Sequence, residues 1–203
     1  MYTTCLKRVF DMLLSIVALP FVAIVIMLAT TVIYLTDKGP VFYNAYRLGR
    51  NGKRFRMFKL RTMKVNAPDI RNADGSTYNG EDNPRLTRCG RFFRKTSIDE
   101  LPQLLNVLLG DMSLVGPRPY LAINNVSNFN VAQLKIISVR PGITGYVQAY
   151  FRNSITQSEK IKKDVFYVEN INFLFDLKIV FKTIGTVVKR EKVFVDQSVS
   201  DFG

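Results

Sequence analysis

The chain has 203 residues, with 29 Lys or Arg, 16 Asp or Glu and a formal net charge of +13. That length supports one buried core, so a single soluble domain with a membrane element is the expected division. The positive excess predicts anionic partners: phosphates, acidic lipid or nucleic acid. The absence of histidine excludes histidine-dependent triads and, with only two cysteines, argues against a zinc site. Metal binding is left to oxygen ligands, which Mg²⁺ prefers.

The first predicted element is an uncharged apolar stretch over residues 12–35, long enough as a helix to cross a bilayer. Lys7 and Arg8 precede it, and nine Lys or Arg with no Asp or Glu follow in residues 38–64. Both flanks therefore carry the charge typical of the cytoplasmic side. A helix broken at Pro20 can enter and leave by one face, so a re-entrant helix is expected, with a kinked span as the alternative.

A β-hairpin is predicted next, in VFYNAYRLGRNGKRFRMFKLRTM, because an Asn-Gly turn at residues 51–52 separates two strand-like runs. Period-two alternation on the second strand puts Lys59 and Arg61 on the face that carries Phe55 and Met57. This face is either an anion site or a solvated basic strand facing lipid headgroups.

The stretch TSIDELP, residues 96–102, has two interpretations. Ser97 and Glu100 match a helix capping box. Pro102 argues against that box, since it would lie at the fifth helical position, where its missing N–H breaks a hydrogen bond. With Asp99 as the N-cap, Pro102 falls among amides that have no helical partner. Asp99 and Glu100 then form a carboxylate pair at the positive end of a helix.

GPRP, residues 116–119, holds Arg118 between two prolines. Fixed flanking backbone angles present the guanidinium at little entropic cost, which suits bidentate binding of a phosphate or carboxylate. The alternative is a rigid turn with an exposed arginine. Farther on, RPGITG predicts a second turn, and the last third has apolar residues at helical spacing interrupted by Asp164, Asp176 and several lysines. These charges indicate core or interfacial helices rather than a second span.

The motifs KRVFD, FKLRTM, NPRLTRCGRFFRKTSIDELPQLLNVLLGDMSLVGPRP and RPGITG stand in this order in the chain. Their sequence and order strongly resemble the bacterial sugar transferase family, and in particular its small monotopic polyprenyl-phosphate phosphoglycosyl transferases. The resemblance spans roughly residues 7–190. It implies an α+β, helix-rich fold: a re-entrant, Pro-broken membrane helix over residues 1–37 and a cytosolic catalytic domain over 38–190. That domain would carry the hairpin and interfacial amphipathic helices, and residues 191–203 would be a tail.

The activity that the resemblance implies is Mg²⁺-dependent transfer of a sugar-1-phosphate from a UDP-sugar to undecaprenyl phosphate. UMP would be released, and the reaction would start a surface glycan or glycoprotein pathway. Carried onto this chain, Asp99 is the nucleophile that forms a covalent phospho-sugar intermediate. Glu100 is its acidic partner, and the two lie at the metal. Arg118 is expected to hold a phosphate, and Lys59 and Arg61 are expected to bind substrate.

Further positions follow from the same resemblance. Lys7 and Arg8 are expected near the entry of the polyprenyl phosphate, and Asp176 matches an acidic position common in relatives. Many relatives carry tryptophans where this chain has Tyr146 and Gln157, in the region expected to hold the sugar nucleotide. The donor pocket is therefore expected to differ in detail from theirs.

The expected partners are a UDP-sugar, undecaprenyl phosphate and membrane lipid, without nucleic acid. A homodimer and contacts with downstream glycosyltransferases are further expectations, and the expected location is the cytoplasmic face of a bacterial inner membrane. Two alternatives stay open at this point. One is a non-catalytic, basic, membrane-anchored protein that binds anionic lipid or nucleic acid by charge. The other is an inactive paralogue that serves as a scaffold.

Overall fold

The computed structural model describes residues 2–70, 78, 80, 82–152 and 154–189. The predicted tail, residues 191–203, lies outside the described residues. The fold is α+β and helix-rich, as expected. Its helices are α1 (Lys7–Thr36), α2 (Arg88–Thr96), α3 (Gln103–Leu109), α4 (Val131–Ile136), α5 (Tyr146–Tyr150), α6 (Gln157–Glu169) and α7 (Phe173–Val188). The strands are β1 (Ala45–Leu48), β2 (Arg54–Met57), β3 (Ser113–Val115), β4 (Tyr120–Leu121) and β5 (Gly142–Thr144).

Two small sheets organise the domain. In the first, β1 lies between β2 and β4 and is antiparallel to both. The predicted hairpin is thus confirmed, and Asn51 and Gly52 both have positive φ, 56° and 76°. In the second sheet, β3 and β5 pair in parallel, which places the start of GPRP against RPGITG. The structure therefore brings together two turn motifs that are distant along the chain.

Helix α1 is one continuous helix that includes Pro20. The break expected at Pro20 does not interrupt it, since a proline inside a long helix removes one hydrogen bond and the neighbouring turns keep theirs. By length and composition the helix could cross a membrane, with a mean hydropathy of 2.8 in its most apolar window. The side chains in the middle of the helix are largely exposed; Phe21, for example, is 72% exposed. The re-entrant path stays a prediction.

Both ends of α1 pack against the same domain. Near the N-terminus, Asp11 accepts hydrogen bonds from the Ser113 hydroxyl and the Leu114 amide. Near the C-terminus, Ala29 and Ile33 are buried in an apolar cluster with Leu60 and Phe93. A second cluster joins the hairpin to α3, and a third joins β3 to α5, α6 and α7. These clusters contain Phe55, Met57, Val107 and Met112, and Val115, Ala149, Tyr167 and Ile179.

Candidate active site

The TSIDELP stretch does not adopt either of the two helix starts that the sequence suggests. Helix α2 ends at Thr96, and Ser97 follows in the left-handed region with φ 58°. An N-cap residue has extended backbone angles, so Ser97 cannot form the capping box, and its side chain makes no cap hydrogen bond. A short 3₁₀ turn, Ile98–Glu100, comes next, and α3 begins at Gln103 after Pro102. The expectation that Asp99 is the N-cap is therefore wrong.

Hydrogen bonds within the turn explain why no side-chain cap is needed. The amides of Glu100 and Leu101 donate to the carbonyls of Ser97 and Ile98, at 3.2 Å each. Tight i to i+3 bonds of this kind satisfy amides at a helix start in place of a cap. The carboxylates of Asp99 and Glu100 are thus free to turn toward other parts of the domain.

Lys59 brings the two carboxylates together. The carbonyl of Asp99 accepts from the Leu60 amide at 2.9 Å, which ties the FKLRTM segment to the turn. The adjacent Lys59 ammonium then lies 2.9 Å from Asp99 Oδ2 and 3.0 Å from Glu100 Oε1. Asp99 is almost fully buried, at 2% exposed. One cation therefore sits between two acidic side chains at the bottom of the site.

The pKa values of the three groups follow from this geometry. Burial raises the pKa of Asp99, and the attraction of Lys59 offsets this only in part. Burial would also raise the pKa of Glu100, but Lys59 and Arg118 outweigh it and lower that pKa to about 2. Burial would lower the pKa of Lys59, but Asp99 and Glu100 reverse the effect and raise it. At neutral pH, Glu100 and Lys59 are thus a charged pair.

Arg118 stands at the rim of the site. Its Nη1 lies 3.9 Å from Glu100 Oε1, and the side chain is 63% exposed. The backbone beneath it is fixed, because the Gly116 amide donates to Thr144 O at 2.8 Å and the Gly142 amide to Pro117 O at 2.9 Å. GPRP is therefore a rigid turn, as the alternative interpretation held, and it also points a largely exposed guanidinium toward the carboxylate pair.

A pocket opens between these groups. Glu100 and Arg118 both line it, and seven further residues complete the wall: Arg47, Met57, Gln103, Pro119, Gly142, Ile143 and Gln148. The hairpin, α3, GPRP and RPGITG all contribute, so the pocket exists only where the two sheets and α3 meet.

The other predicted site residues lie elsewhere. Arg61 pairs with Asp37 at 2.7 Å, at the end of α1, so Lys59 and Arg61 do not project together. The reason is that β2 ends at Met57 and strand alternation does not continue to residue 61. Lys7 pairs with Asp176, and Arg8 donates to the carbonyls of Val107 and Leu108 at the end of α3.

Asp176 is the centre of a buried network rather than part of the pocket. Besides Lys7, it accepts hydrogen bonds from Tyr2 at 2.7 Å and from Tyr167 at 2.8 Å. Together with Arg8, these contacts hold the start of α1 on the domain. Substrate binding by Lys7, Arg8 and Asp176 stays a prediction.

Sequence reasoning missed three residues of the site. Arg47 and Gln148 line the pocket, and Arg94 lies close enough to lower the pKa values of both Asp99 and Glu100. No local signal pointed to Arg47: a two-residue turn at Asn51 and Gly52 would set it opposite Arg56, whereas the observed loop Arg50–Gly52 sets it opposite Phe55. Gln148 and Arg94 sit on helices, and local patterns give no signal for them either.

Tyr146, which replaces an expected tryptophan, packs in an aromatic cluster. Its ring lies 5.1–5.7 Å, centroid to centroid, from four others, those of Tyr150, Phe151, Phe166 and Phe175. Gln157 is the first residue of α6. Neither residue is among those that line the pocket.

The carboxylate pair could supply part of a magnesium site. Among the described residues, no group of three or more acidic or thiol side chains could hold a metal by itself. Magnesium in phosphoryl-transfer enzymes is commonly held by one or two carboxylates together with substrate phosphates. Asp99 and Glu100, beside a pocket with an arginine at its rim, are a donor set of that kind.

Comparison with known proteins agrees with the geometry. The family model described as bacterial sugar transferase matches residues 2–190. The chain belongs to the bacterial sugar transferase family. A relative within this family is the uncharacterized sugar transferase EpsL of Bacillus subtilis, 43% identical over 93% of this chain and 90% of its own.

Two further members of the family are longer proteins. The galactosyl transferase CpsE of Streptococcus agalactiae is 40% identical over 90% of this chain. The undecaprenyl-phosphate galactose phosphotransferase of Salmonella typhimurium is 36% identical over 93% of this chain. In each case the match covers 42% of the relative's own length.

Proposed function

We propose that the protein transfers a sugar-1-phosphate from a UDP-sugar to undecaprenyl phosphate and releases UMP. Family membership supports transfer of a sugar, and the name of the Salmonella relative supports a polyprenyl phosphate as the acceptor. The observation that carries the proposal is the pair Asp99–Glu100 held by Lys59, in which Glu100 faces Arg118 across one pocket. The products place the reaction at the start of a surface glycan or glycoprotein pathway.

The proposed reaction runs in two displacements. In the first, an Asp99 carboxylate oxygen attacks the sugar-bearing phosphorus of the donor, and the bond from that phosphorus to the UMP oxygen breaks. In the second, an oxygen of undecaprenyl phosphate attacks the same phosphorus, and Asp99 leaves as a carboxylate. Attack by an anion on a phosphate needs nearby positive charge, and Lys59 and Arg118 supply it. Such transfer relies on positioning and charge more than on proton transfer, so histidine is not required.

Magnesium fits this site as a cofactor. Asp99 and Glu100 would hold it together with donor phosphates, and a bound Mg²⁺ would neutralise charge on those phosphates. Lys59 already bridges the same two carboxylates. It would hold the pair in place whether or not the ion is bound.

For this function we propose that the protein is monotopic and lies on the cytoplasmic face of a bacterial inner membrane. Helix α1, at about 1.5 Å per residue, is longer than the ~30 Å hydrocarbon layer, yet both its ends contact one domain. A path that enters and leaves by one face accounts for these contacts. Helix α7 adds a second membrane-facing surface, because an exposed apolar stripe lies opposite its buried side. The stripe consists of Phe173, Leu174, Leu177, Phe181 and Ile184.

Mass spectrometry of the intact protein tests the mechanism. Purified full-length protein in detergent, incubated with Mg²⁺ and a panel of UDP-sugars without acceptor, should gain the mass of a phosphate plus a sugar and release UMP. Asp99→Asn keeps the shape of the side chain and removes the nucleophile, so it should gain no adduct. Asp82→Asn is the matched control, because it makes the same substitution at an exposed carboxylate that does not line the pocket, and it should form the adduct as the parent does.

Adduct formation by Asp99→Asn, or an adduct that maps to another residue, would contradict the assignment. UMP release that requires undecaprenyl phosphate, with no adduct at any time, would indicate direct attack by the acceptor. If no UDP-sugar gives UMP under either condition, the non-catalytic alternative gains support.

A further inference from the structure

Arg47 occupies an unusual place for a charged residue. It lies on β1 opposite Phe55, and cross-strand neighbours share a face of the sheet. Phe55 and Met57, on that same face, are buried, whereas Arg54 and Arg56 on β2 are exposed. Arg47 is itself partly buried and lines the pocket beside Glu100 and Arg118. Among the hairpin's strand residues, Arg47 is thus the cation that faces inward.

The guanidinium of Arg47 is attracted by Glu100 and Tyr43 only at longer range. It makes no ion pair and no hydrogen bond with any residue in the described part of the chain. Burial lowers the pKa of Arg47, and repulsion from Arg118 lowers it further. A buried or half-buried cation is normally paired, because desolvation is costly. An arginine held near another arginine, with no ion pair or hydrogen bond in the described part of the chain, indicates a site built for an anion.

The charges around the pocket give the same indication. Four cations interact with the two carboxylates: Arg47, Lys59, Arg94 and Arg118. Four positive charges against two negative ones leave a formal excess of two. The diphosphate of a sugar nucleotide is negatively charged, so it has the sign that this excess attracts.

A neutral side chain in the pocket wall, Gln148, also has an unpaired polar atom. The side-chain oxygen of Gln148 is buried and has no hydrogen-bond partner among the described residues. Buried polar atoms in proteins are almost always paired, with protein, water or ligand. The amide oxygen of Gln148 can accept only from a donor such as a ligand hydroxyl or N–H, while the two arginines suit the ligand's anionic part.

We infer that Arg47 binds a phosphate of the donor's diphosphate, alongside Arg118 at the pocket mouth. This assignment rests on the proposed function and adds to it a phosphate-binding residue from the hairpin. Two guanidinium groups from different elements hold a diphosphate by four or more N–H donors, which fixes its orientation as well as its charge. Arg47 would thereby set the phosphorus in line with Asp99.

Substitutions at Arg47 test this role in the full-length protein. Arg47→Met keeps much of the aliphatic stem and removes the charge, and Arg47→Lys keeps the charge but loses the planar fork. Arg56→Met is the matched control, since Arg56 lies on the neighbouring strand and is exposed. The measurements are UMP release against donor concentration and against undecaprenyl phosphate concentration, inhibition by inorganic pyrophosphate, and the unfolding temperature.

Loss of a charge-assisted hydrogen bond to phosphate should raise the donor KM of Arg47→Met by roughly 10-fold to 100-fold. Pyrophosphate inhibition should weaken by a similar factor, while the acceptor KM and the unfolding temperature stay near the parent values. Arg47→Lys should fall between Arg47→Met and the parent. Arg56→Met should behave as the parent does.

An unchanged donor KM and unchanged pyrophosphate inhibition in Arg47→Met would overturn the inference. So would a lower unfolding temperature with loss of kcat alone, which would mark Arg47 as structural. Pyrophosphate binding measured by calorimetry separates this inference from the proposed function. If the parent turns over no UDP-sugar, the proposed function fails, and weaker pyrophosphate binding by Arg47→Met still supports the phosphate site, whereas equal binding rejects it.

Discussion

Lys59 is the residue on which the geometry of the site depends. Its ammonium contacts Asp99 and Glu100 at about equal distances, 2.9 and 3.0 Å, and all three side chains are largely shielded from water. Two carboxylates this close repel one another, and without a cation one of them takes up a proton. Lys59 thus opposes protonation of the pair, and this favours the carboxylate form of Asp99, which is the form that can act as a nucleophile.

Replacing Lys59 by Met should therefore damage both stability and activity. Removing one partner of a buried ion pair typically costs about 3–5 kcal/mol, because the remaining charge is left unpaired. We expect Lys59→Met to lower the unfolding temperature and to abolish UMP release. The double variant Lys59→Met with Asp99→Asn should unfold at a higher temperature than Lys59→Met, since it removes one of the stranded charges, yet it should stay inactive.

Thermal unfolding in detergent, followed by circular dichroism, measures this difference. A double variant that is no more stable than Lys59→Met would show that Lys59 contributes through packing of its aliphatic chain instead of its charge. Lys53→Met serves as the control, since Lys53 is exposed on the same hairpin.

At the scale of elements, local chemistry made the hairpin predictable. Its turn needs positive φ at successive residues, and Asn51 and Gly52 are the residue types that adopt it easily. The alternation that buries Phe55 and Met57 is also local. The end of β2 at Met57 is not a local feature: beyond it the chain finds distant partners, as Arg61 does with Asp37 at the C-cap of α1. Alternation alone could not show where the strand stops.

The conformation of the carboxylate pair was harder to predict for the same reason. The left-handed Ser97 and the 3₁₀ turn after it are stabilised by Leu60, which is distant in sequence and bonds the Asp99 carbonyl. Sequence rules for helix caps consider only neighbours along the chain. They identified Asp99 and Glu100 as a candidate pair but predicted the wrong backbone conformation, a helix N-cap at Asp99 in place of the 3₁₀ turn.

The parallel pair β3–β5 could not be seen in the sequence at all, although it positions Arg118. Gly116 and Gly142 let the two strands approach closely: a Cβ on Gly142 would lie 2.1 Å from the Gly116 amide nitrogen. No side chain can occupy that space unless the backbones separate. The glycines of GPRP and RPGITG therefore have a packing function in addition to forming turns.

A pair of Gly→Ala substitutions tests this packing role. Gly142→Ala must push β3 and β5 apart, at a cost of about 1–3 kcal/mol or more, and should reduce UMP release because Arg118 moves with its turn. Gly185→Ala, inside α7 with no atom within 4 Å of the added carbon, should instead stabilise the protein by about 0.5–1 kcal/mol.

Unfolding temperatures and UMP release of the two variants and the parent give the comparison. If Gly142→Ala retains full activity and stability, the strands tolerate separation and the turn does not need this contact to place Arg118.

For the whole molecule, the distribution of apolar surface sets the relation to the membrane. The middle of α1 and the exposed stripe of α7 leave many large apolar side chains without protein contacts. Tyr2 and Phe10 pack against Phe173 at ring distances of 6.1 and 5.1 Å, so the start of α1 and the start of α7 lie side by side. Both apolar surfaces therefore belong to the same side of the domain, where a bilayer can cover them together.

This arrangement predicts that the N-terminus and the hairpin share one side of the membrane. Cys5 is exposed and reports on the N-terminus once Cys89 is replaced by Ser. Lys53→Cys, in a chain that carries Cys5→Ser and Cys89→Ser, reports on the exposed hairpin turn. A membrane-impermeant maleimide should label neither site in intact cells and both sites in inverted inner-membrane vesicles.

The physical reason is that the Asp11 and Lys7 contacts hold one end of α1 on the domain while Ile33 and Asp37 hold the other. A helix that crossed the bilayer would have to lose the contacts at one of its two ends. The loss would leave the charges at residues 7, 11 and 176 unpaired, or it would expose the apolar cluster around Ile33. Labelling of Cys5 from outside, with labelling of the Lys53→Cys variant only from inside, would show a spanning helix. In that case the contacts at the start of α1 could not form in the membrane.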